Sequence, residues 1–146
     1  MSTMTFDVFS EVLNTGSDRL DAVIRERLSK QGRAFREAAK RNALRRFRTG
    51  TTTANAARAT LHRSRPMLMA GLDVDKSPGG FIQDTGGVIR ATRGPWLFIT
   101  LPDGSFRVAK EVRIKATYWL SDAWDTTKRS TPDALNGALR DALGSR

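Results

Sequence analysis

Few residues in this sequence have the types and spacing that enzyme chemistry requires. His62 is the only histidine, so a serine–histidine–acid site would have to use it; the alternative is a surface or packing histidine. The chain has no cysteine, which excludes disulfides, thiol catalysis and cysteine-ligated zinc. Asp73 and Asp75 form an Asp-x-Asp pair, but the glycine and closing glutamate of a calcium-binding loop are absent, so two loop aspartates are the simpler interpretation.

The paired glycines do not form a phosphate-binding loop either. Gly79-Gly80 and Gly86-Gly87 lack the lysine and hydroxyl residue that complete such a loop, and they are typical of turns. No His-Glu-x-x-His motif and no set of metal-ligating residues is present. The sequence therefore predicts a protein that is not an enzyme and that uses no cofactor and no metal.

The distribution of charge is more informative than these isolated residues. The 146 residues include 25 Lys or Arg and 15 Asp or Glu, a net charge of +10. Residues 25–65 alone hold thirteen bases and two acids, which is +11, so the remainder of the chain carries −1. Such concentration predicts a surface for an anionic partner, either nucleic acid or an acidic protein face.

A long amphipathic helix must position most of these bases. Ser17 is the expected N-cap, a shorter helix covers about residues 5–13, and the long helix bends near Asn42 and ends at residues 49–51. Its apolar stripe includes Leu20, Leu28 and Phe35. The bases lie opposite this stripe, as a surface that contacts DNA or a partner, or as a solvated face. The candidate surface comprises Arg25, Lys30, Arg33, Arg36, Lys40, Arg41, Arg45, Arg46 and Arg48.

The middle of the chain has the pattern of β-strands. The alanines of residues 51–65 permit a helix, while residues 57–62 alternate like an edge strand, which we favour. After Pro66, residues 67–72 have the pattern of a strand or of an apolar segment that docks, and residues 73–80 that of a loop. From Phe81 the β pattern is clearest, and residues 88–115 are expected to form an antiparallel meander. Within it, residues 96–101 have the composition of a strand buried on both faces, against the long helix. Residues 102–105 predict a tight turn with a positive φ at Gly104.

The last part of the chain is helical again. Tyr118, Trp119 and Trp124 recur at helical spacing, and residues 130–133 indicate a new helix with Thr131 as its N-cap. Leu135, Leu139 and Leu143 then form an i,i+4 stripe. Trp119 and Trp124 are expected to pack the last helices on the sheet, or to lie at an oligomer interface.

The expected fold class is therefore α+β. A long N-terminal amphipathic helix packs on a small antiparallel β-sheet, and short C-terminal helices follow. We expect one domain over residues 1–146, with a helical part (1–50), a mainly β part (51–115) and C-terminal helices (116–146). The N-terminus lacks the layout of a signal peptide, and the longest apolar runs have four residues, so no membrane contact is expected.

Two stretches of the second half resemble a known family. Residues 81–90, Phe-Ile-Gln-Asp-Thr-Gly-Gly-Val-Ile-Arg, are similar to a "strand, acid, small residue, Gly" segment of phage tail-completion proteins. Residues 112–120, Val-Arg-Ile-Lys-Ala-Thr-Tyr-Trp-Leu, resemble the ending of the same proteins, which leads into a helix. The order of elements also agrees, and the resemblance covers roughly residues 20–128.

This resemblance implies a structural protein of the head–tail junction of long-tailed phages and related particles. Such a protein forms a homo-oligomeric ring between head connector and tail, around the DNA channel. The implied partners are copies of the chain, the neighbouring head-connector and tail proteins and packaged DNA, which it contacts without reading sequence. The implied location is the virion neck or tail, assembled in the host cytoplasm. The alternative is a small basic nucleic-acid-binding protein that uses residues 25–65.

Overall fold

The first element, α1, is one continuous helix of 41 residues, Phe6–Arg46, about 60 Å long. The computed structural model describes the backbone of residues 6–47, 51–101 and 103–144, and their side chains except for residues 6–13 and 51–52. The predicted break before Ser17 is wrong, since Gly16 and Ser17 both lie inside α1. A Cβ on Gly16 would lie 3.7 Å from Leu143, so Gly16 sits where the C-terminal end of the chain packs closely on the helix.

The core forms where α1 crosses a second long helix, α4 (Trp119–Leu135). The buried stripe of α1 includes Phe35, Ala39 and Ala43, each at most 1% exposed. Its alanines let α4 approach closely, and Trp119 and Ala123 of α4 are both 0% exposed. The predicted amphipathic stripe is therefore confirmed at Phe35, and its principal partner is a helix.

A two-stranded antiparallel hairpin packs on α1 near Gly32. After the short helix α2 (Thr51–Ala54), β1 (Ala57–Leu61) pairs with β2 (Leu68–Leu72). Contact with α1 is close at Gly32, where a Cβ would lie 3.0 Å from Leu68 and 3.2 Å from Ala59. The predicted strands are confirmed, and so is the α+β class with a long helix on a small antiparallel sheet.

The segment after this hairpin departs from the β prediction. Residues Gly80–Thr85 form a short helix, α3, that packs on α4. Gly80 is buried, and a Cβ there would lie 2.5 Å from a methyl group of Leu72. At Gly86 the chain turns with a φ of 74°, and a Cβ would clash with the backbone nitrogen of Ala116 at 2.8 Å. Gly80 and Gly86 thus determine how α3 packs and how the chain turns at its end. The apolar residues between them do not predict this helix.

Residues 87–114 form one long, interrupted hairpin, which we call the hairpin arm. The outer strands β3 (Gly87–Arg90) and β6 (Glu111–Ile114) pair with each other. The inner strands β4 (Leu97–Thr100) and β5 (Phe106–Ala109) pair farther out, around a turn in which Gly104 has the predicted positive φ of 81°. This nested pairing replaces the predicted meander.

The inner strands are exposed, which contradicts the prediction of a buried strand. Phe98 is 73% exposed, Phe106 69% and Trp96 47%. Among the described residues, β4 and β5 pack chiefly on each other. The composition of these strands indicates burial, and Leu97 and Ile99 are half-buried, but within the described residues nothing covers Phe98 and Phe106.

The C-terminal part is two helices, divided later than predicted. Helix α4 continues through residues 130–133, and the Thr131 hydroxyl donates a hydrogen bond to the Thr127 carbonyl at 2.7 Å instead of capping a new helix. Helix α5 (Ala138–Gly144) follows Gly137, whose φ is 78°. Its buried residues are Ala138 and Ala142, whereas the expected apolar contacts Leu139 and Leu143 are 58% and 59% exposed. In the described parts of the chain, no helix has the length and apolarity that crossing a bilayer requires.

Candidate functional site: a basic helix face and an exposed hairpin arm

Several of the predicted surface bases form ion pairs or hydrogen bonds with other residues of the chain. Arg25 pairs with Asp21 at 2.5 Å and donates to the His62 carbonyl at 2.9 Å. Lys30 pairs with Glu26 at 2.7 Å, and this ion pair and hydrogen bond hold the pKa of the Glu26 carboxyl below its usual value of 4.5. These cations serve the fold at least in part, so the +11 charge of residues 25–65 overstates the charge offered to a partner.

Two further arginines tie α1 to the C-terminal part. Arg46 pairs with Asp122 of α4 at 2.7 Å and donates to the Thr117 carbonyl. Arg27 donates to the Ala134 carbonyl at 2.9 Å, where α4 ends, and pairs with Asp141 of α5. Arg27 thereby satisfies a carbonyl that the end of a helix leaves without a partner. Of the predicted set, Arg48 lies outside the described residues.

Five of the predicted bases remain exposed, and within the described residues no salt bridge involves them. At 100° per residue they cover about half of the helix circumference, centred opposite Phe35, Ala39 and Ala43. Glu37 is the one acid between them. We call this set the basic stripe; it consists of Arg33, Arg36, Lys40, Arg41 and Arg45. Its uncompensated charge can attract a polyanion.

A cavity lies at the N-terminal end of the basic stripe. It has a volume of about 240 Å³ and is lined by Ser29, Arg33 and Arg36 from α1, and by Leu61 and Leu68 from the β1–β2 hairpin. Guanidinium groups bind phosphate through paired hydrogen bonds, and a hydroxyl adds a further donor. The cavity thus brings together two arginines and one serine, the residue types that bind phosphate.

The two tryptophans take different positions. Trp119 is 0% exposed, its indole nitrogen donates to the Gly80 carbonyl at 3.2 Å, and Phe47 lies against its ring. The structure therefore contradicts the prediction of an oligomer contact at Trp119, since the core uses its whole surface. Trp124 is half-buried and packs edge-to-face on Phe35, with ring centroids 5.7 Å apart.

The residues considered for catalysis are not assembled into a site. The His62 ring accepts a weak hydrogen bond from the Ser64 backbone nitrogen at 3.3 Å. Asp73 is buried and pairs with Arg58 at 2.8 Å, while Asp75 is exposed on the following turn. Over the described ranges, no three His, Cys, Asp or Glu side chains lie close enough to hold a metal ion.

Asp84 is an important residue that the sequence did not single out for a role. It is 3% exposed, and its carboxylate accepts hydrogen bonds from the backbone nitrogens of Leu120 at 2.7 Å and Ser121 at 3.1 Å. Tyr118, the residue just before α4, makes no side-chain capping hydrogen bond and has a left-handed φ of 52°. Asp84 therefore caps α4 from a position 36 residues earlier in the chain, and it joins residues 81–90 to residues 112–120.

The hairpin arm presents a continuous apolar face that sequence reasoning placed in the core. Phe98 lies opposite Val108, and Thr100 lies opposite Phe106, so these four side chains share one face. Bases flank the strands, and the Lys110 ammonium lies 5.5 Å from the centre of the Trp96 ring. An exposed face of this kind is typical of a contact with another macromolecule.

Comparisons of the chain with protein-family models, with curated proteins and with solved structures find no match.

Proposed function

We propose that the chain is a structural virion protein of the phage neck or tail. It acts as a tail-completion or head–tail connector subunit, and copies of it form a homo-oligomeric ring that joins head and tail around the DNA channel. The observation that carries this proposal is the exposed apolar face of the hairpin arm. A lone two-stranded hairpin has little stability in water, and an exposed aromatic face gains free energy when a partner covers it.

The basic stripe has a natural role in such a ring. One exposed cation contributes little, because water and salt screen it. Repeated around a ring, five cations per subunit form a positive collar that holds DNA through its phosphates without reading the bases. The collar would equally suit an acidic ring of a neighbouring head-connector or tail protein.

The location in the neck comes from the resemblance of residues 81–90 and 112–120. The contact between Asp84 and the start of α4 supports treating these stretches as one structural unit. The partners in this proposal are neighbouring head-connector and tail proteins, further copies of the chain and packaged DNA. The place of assembly is the host cytoplasm.

The solution mass of the purified protein tests the assembly. Light scattering after size exclusion should give a multimer, either for the chain alone or after addition of its neighbouring proteins. The same samples should bind short DNA duplexes only weakly. A chain that stays monomeric in both settings would contradict a ring.

A second candidate is a small basic nucleic-acid-binding protein. The cavity lined by Ser29, Arg33 and Arg36 favours it, because these are residue types that bind phosphate. Such a protein should bind duplexes as a monomer, and the logarithm of its affinity should fall steeply with the logarithm of salt concentration. A monomer with this behaviour would support the second candidate over the first.

A further inference from the structure

We propose that the cavity between α1 and the β1–β2 hairpin is a specific binding site for one phosphate group of a nucleic-acid backbone. Arg33 and Arg36 bind this group, and Ser29 assists them. The inference rests on the proposed contact with packaged DNA and goes beyond it, because a positive collar treats all five cations of the basic stripe as equal. In a specific site, two of these cations hold one phosphate and the other three only attract the polymer.

The spacing of the three residues places their side chains in one row on α1. Ser29, Arg33 and Arg36 stand at positions i, i+4 and i+7, which span about 10 Å of helix rise. Residues three and four apart on a helix are neighbours, so the two guanidinium groups lie side by side. Each can donate paired hydrogen bonds to the same phosphate, and the serine hydroxyl can donate one more.

The β1–β2 hairpin supplies an apolar wall of the cavity. It approaches α1 closely at Gly32, where a Cβ would lie 3.0 Å from Leu68. Leu61 and Leu68 line the cavity together with the two arginines, whereas the three other bases of the basic stripe do not line it. An apolar wall lowers the local dielectric constant and strengthens a charge-assisted hydrogen bond. The two arginines therefore have an environment that the rest of the basic stripe lacks.

No carboxylate in the cavity competes with a phosphate for these arginines. None of the residues that line it is acidic, and Glu37 is exposed outside it. The pKa of the Glu26 carboxyl is lowered mainly by its hydrogen bond with Lys30, at 2.7 Å, and least by Arg33, so this acid serves the lysine. Arg33 and Arg36 are like-charged neighbours that repel each other, and an anion between them removes that repulsion.

The surroundings of the cavity favour a phosphate that belongs to a polymer. Both arginines of the cavity are exposed, so a phosphate group that they bind can remain attached to a chain in solvent. The basic stripe continues along α1 to Arg45, and the turn between β1 and β2 carries Arg63 and Arg65, which are exposed and form no salt bridge with any described residue. Arg25 holds this turn against α1 through its hydrogen bond to the His62 carbonyl at 2.9 Å. A free phosphate ion needs none of these further charges, whereas a nucleic-acid backbone presents more phosphates to them.

Exchange of arginine for lysine tests the site, because lysine keeps the charge and loses the planar fork of donors. The test variant carries Arg33→Lys and Arg36→Lys, and the matched control carries Arg41→Lys and Arg45→Lys on the same helix. Fluorescence anisotropy of a labelled DNA duplex at low salt measures the affinity of the full chain, and circular dichroism checks that each variant folds. We expect the test variant to bind roughly tenfold more weakly than the wild type, as the loss of about one charge-assisted hydrogen bond does, with an unchanged salt slope. The control should bind as the wild type.

Inorganic phosphate identifies the group that the cavity binds. At equal ionic strength it should displace the duplex from the wild type more effectively than chloride does, and the test variant should lose this difference. Equal duplex affinity of the two lysine variants would show that the cations act as a diffuse field without a specific site. Displacement by phosphate with no loss of duplex affinity in the test variant would assign the cavity to a free phosphate ion. Polyglutamate that binds as tightly as the duplex, and is weakened equally by the exchange, would assign it to an acidic protein. Each of these three results overturns the proposal.

The outcome does not depend on where the protein lies in particles. If the exchange at Arg33 and Arg36 has no effect while the protein is found at the neck, the phosphate site alone fails. If the exchange weakens duplex binding as expected but the protein is absent from particles, the proposed function fails instead.

Discussion

The carboxylate of Asp84 in α3 accepts a hydrogen bond from the backbone nitrogen of Leu120, 2.7 Å away, in the first turn of α4. The two residues are 36 positions apart in the chain. The backbone oxygen of Asp84 also accepts from the Tyr118 nitrogen at 2.9 Å, which holds that residue in its left-handed conformation. One buried residue therefore fixes both the start of α4 and the base of the hairpin arm.

Removal of this carboxylate should destabilise the whole fold. We expect Asp84→Ala to lower the free energy of unfolding by about 1–3 kcal/mol, since buried backbone donors lose their acceptor. Asp84→Asn keeps one side-chain oxygen and should lose less. Urea unfolding followed by circular dichroism measures both variants. Equal stability of wild type and Asp84→Ala would remove the capping role.

The core and the arm should respond differently to the same substitution. Phe35→Ala leaves a cavity between α1 and α4 and should cost about 3–5 kcal/mol. Phe98→Ala, on a side chain that is 73% exposed, should change the stability of the isolated chain by less than about 0.5 kcal/mol. Thermal unfolding at low protein concentration compares them. A large loss for Phe98→Ala under those conditions would place β4 in the core.

The carboxyl group of Asp103, in the turn of the hairpin arm, should have a pKa below its ordinary value. The Ser105 hydroxyl donates to the Asp103 carboxylate at 2.6 Å and its backbone nitrogen donates at 3.0 Å, which lowers the pKa of Asp103 from its ordinary value of 3.8. The turn is therefore most stable above pH 3.8, and this stabilisation is lost as the pH falls through the folded pKa. Nuclear magnetic resonance titration should show the low pKa, and Ser105→Ala should raise it. A pKa of 3.8 or above in the wild type would contradict these bonds.

The sequence predicted those parts of the fold whose pattern depends on local structure. The apolar stripe through Phe35, the strands on either side of Pro66 and the positive φ of Gly104 follow from periodicity and turn chemistry. The predictions that helices start at Ser17 and Thr131 were wrong, because packing extends α1 and α4 through residue types that cap helices in other proteins. Local signals of helix ends carry less free energy than the contacts that continue the helices.

The candidate site was harder to predict because apolar composition does not say which surface covers a side chain. Phe98 and Phe106 have the pattern of core residues, yet they are 73% and 69% exposed. The charge count likewise could not separate Arg33, which is exposed on the basic stripe, from Arg27 and Arg46, which bond to backbone carbonyls and aspartates of the C-terminal helices.

The basic stripe should be dispensable for folding and required for function. A variant with Arg33, Arg36, Lys40 and Arg41 changed to Gln keeps the buried stripe of α1, so its melting temperature should match the wild type. Its DNA affinity should depend less on salt, with the slope reduced by about 0.9 for each phosphate that the variant no longer neutralises. Particles that carry it should fail to join tails to filled heads or to retain packaged DNA.

A control variant removes four exposed cations outside the basic stripe and the hairpin arm, Arg19, Lys128, Arg129 and Arg140. It should behave as the wild type in particle yield and infectivity. If the fourfold variant of the basic stripe also gives full-length tails on filled heads at normal yield, these three arginines and one lysine form only a solvated helix face.

The position of the protein in particles tests the central claim most directly. Particles from a strain that carries the gene are purified, heads are separated from tails, and the copies of this chain per particle are counted by quantitative mass spectrometry. Gold-labelled antibody then locates the chain by electron microscopy. We predict a fixed, small number of copies at the head–tail junction of every complete particle. Complete particles that lack the chain would contradict the proposal that it is a structural subunit of the neck or tail.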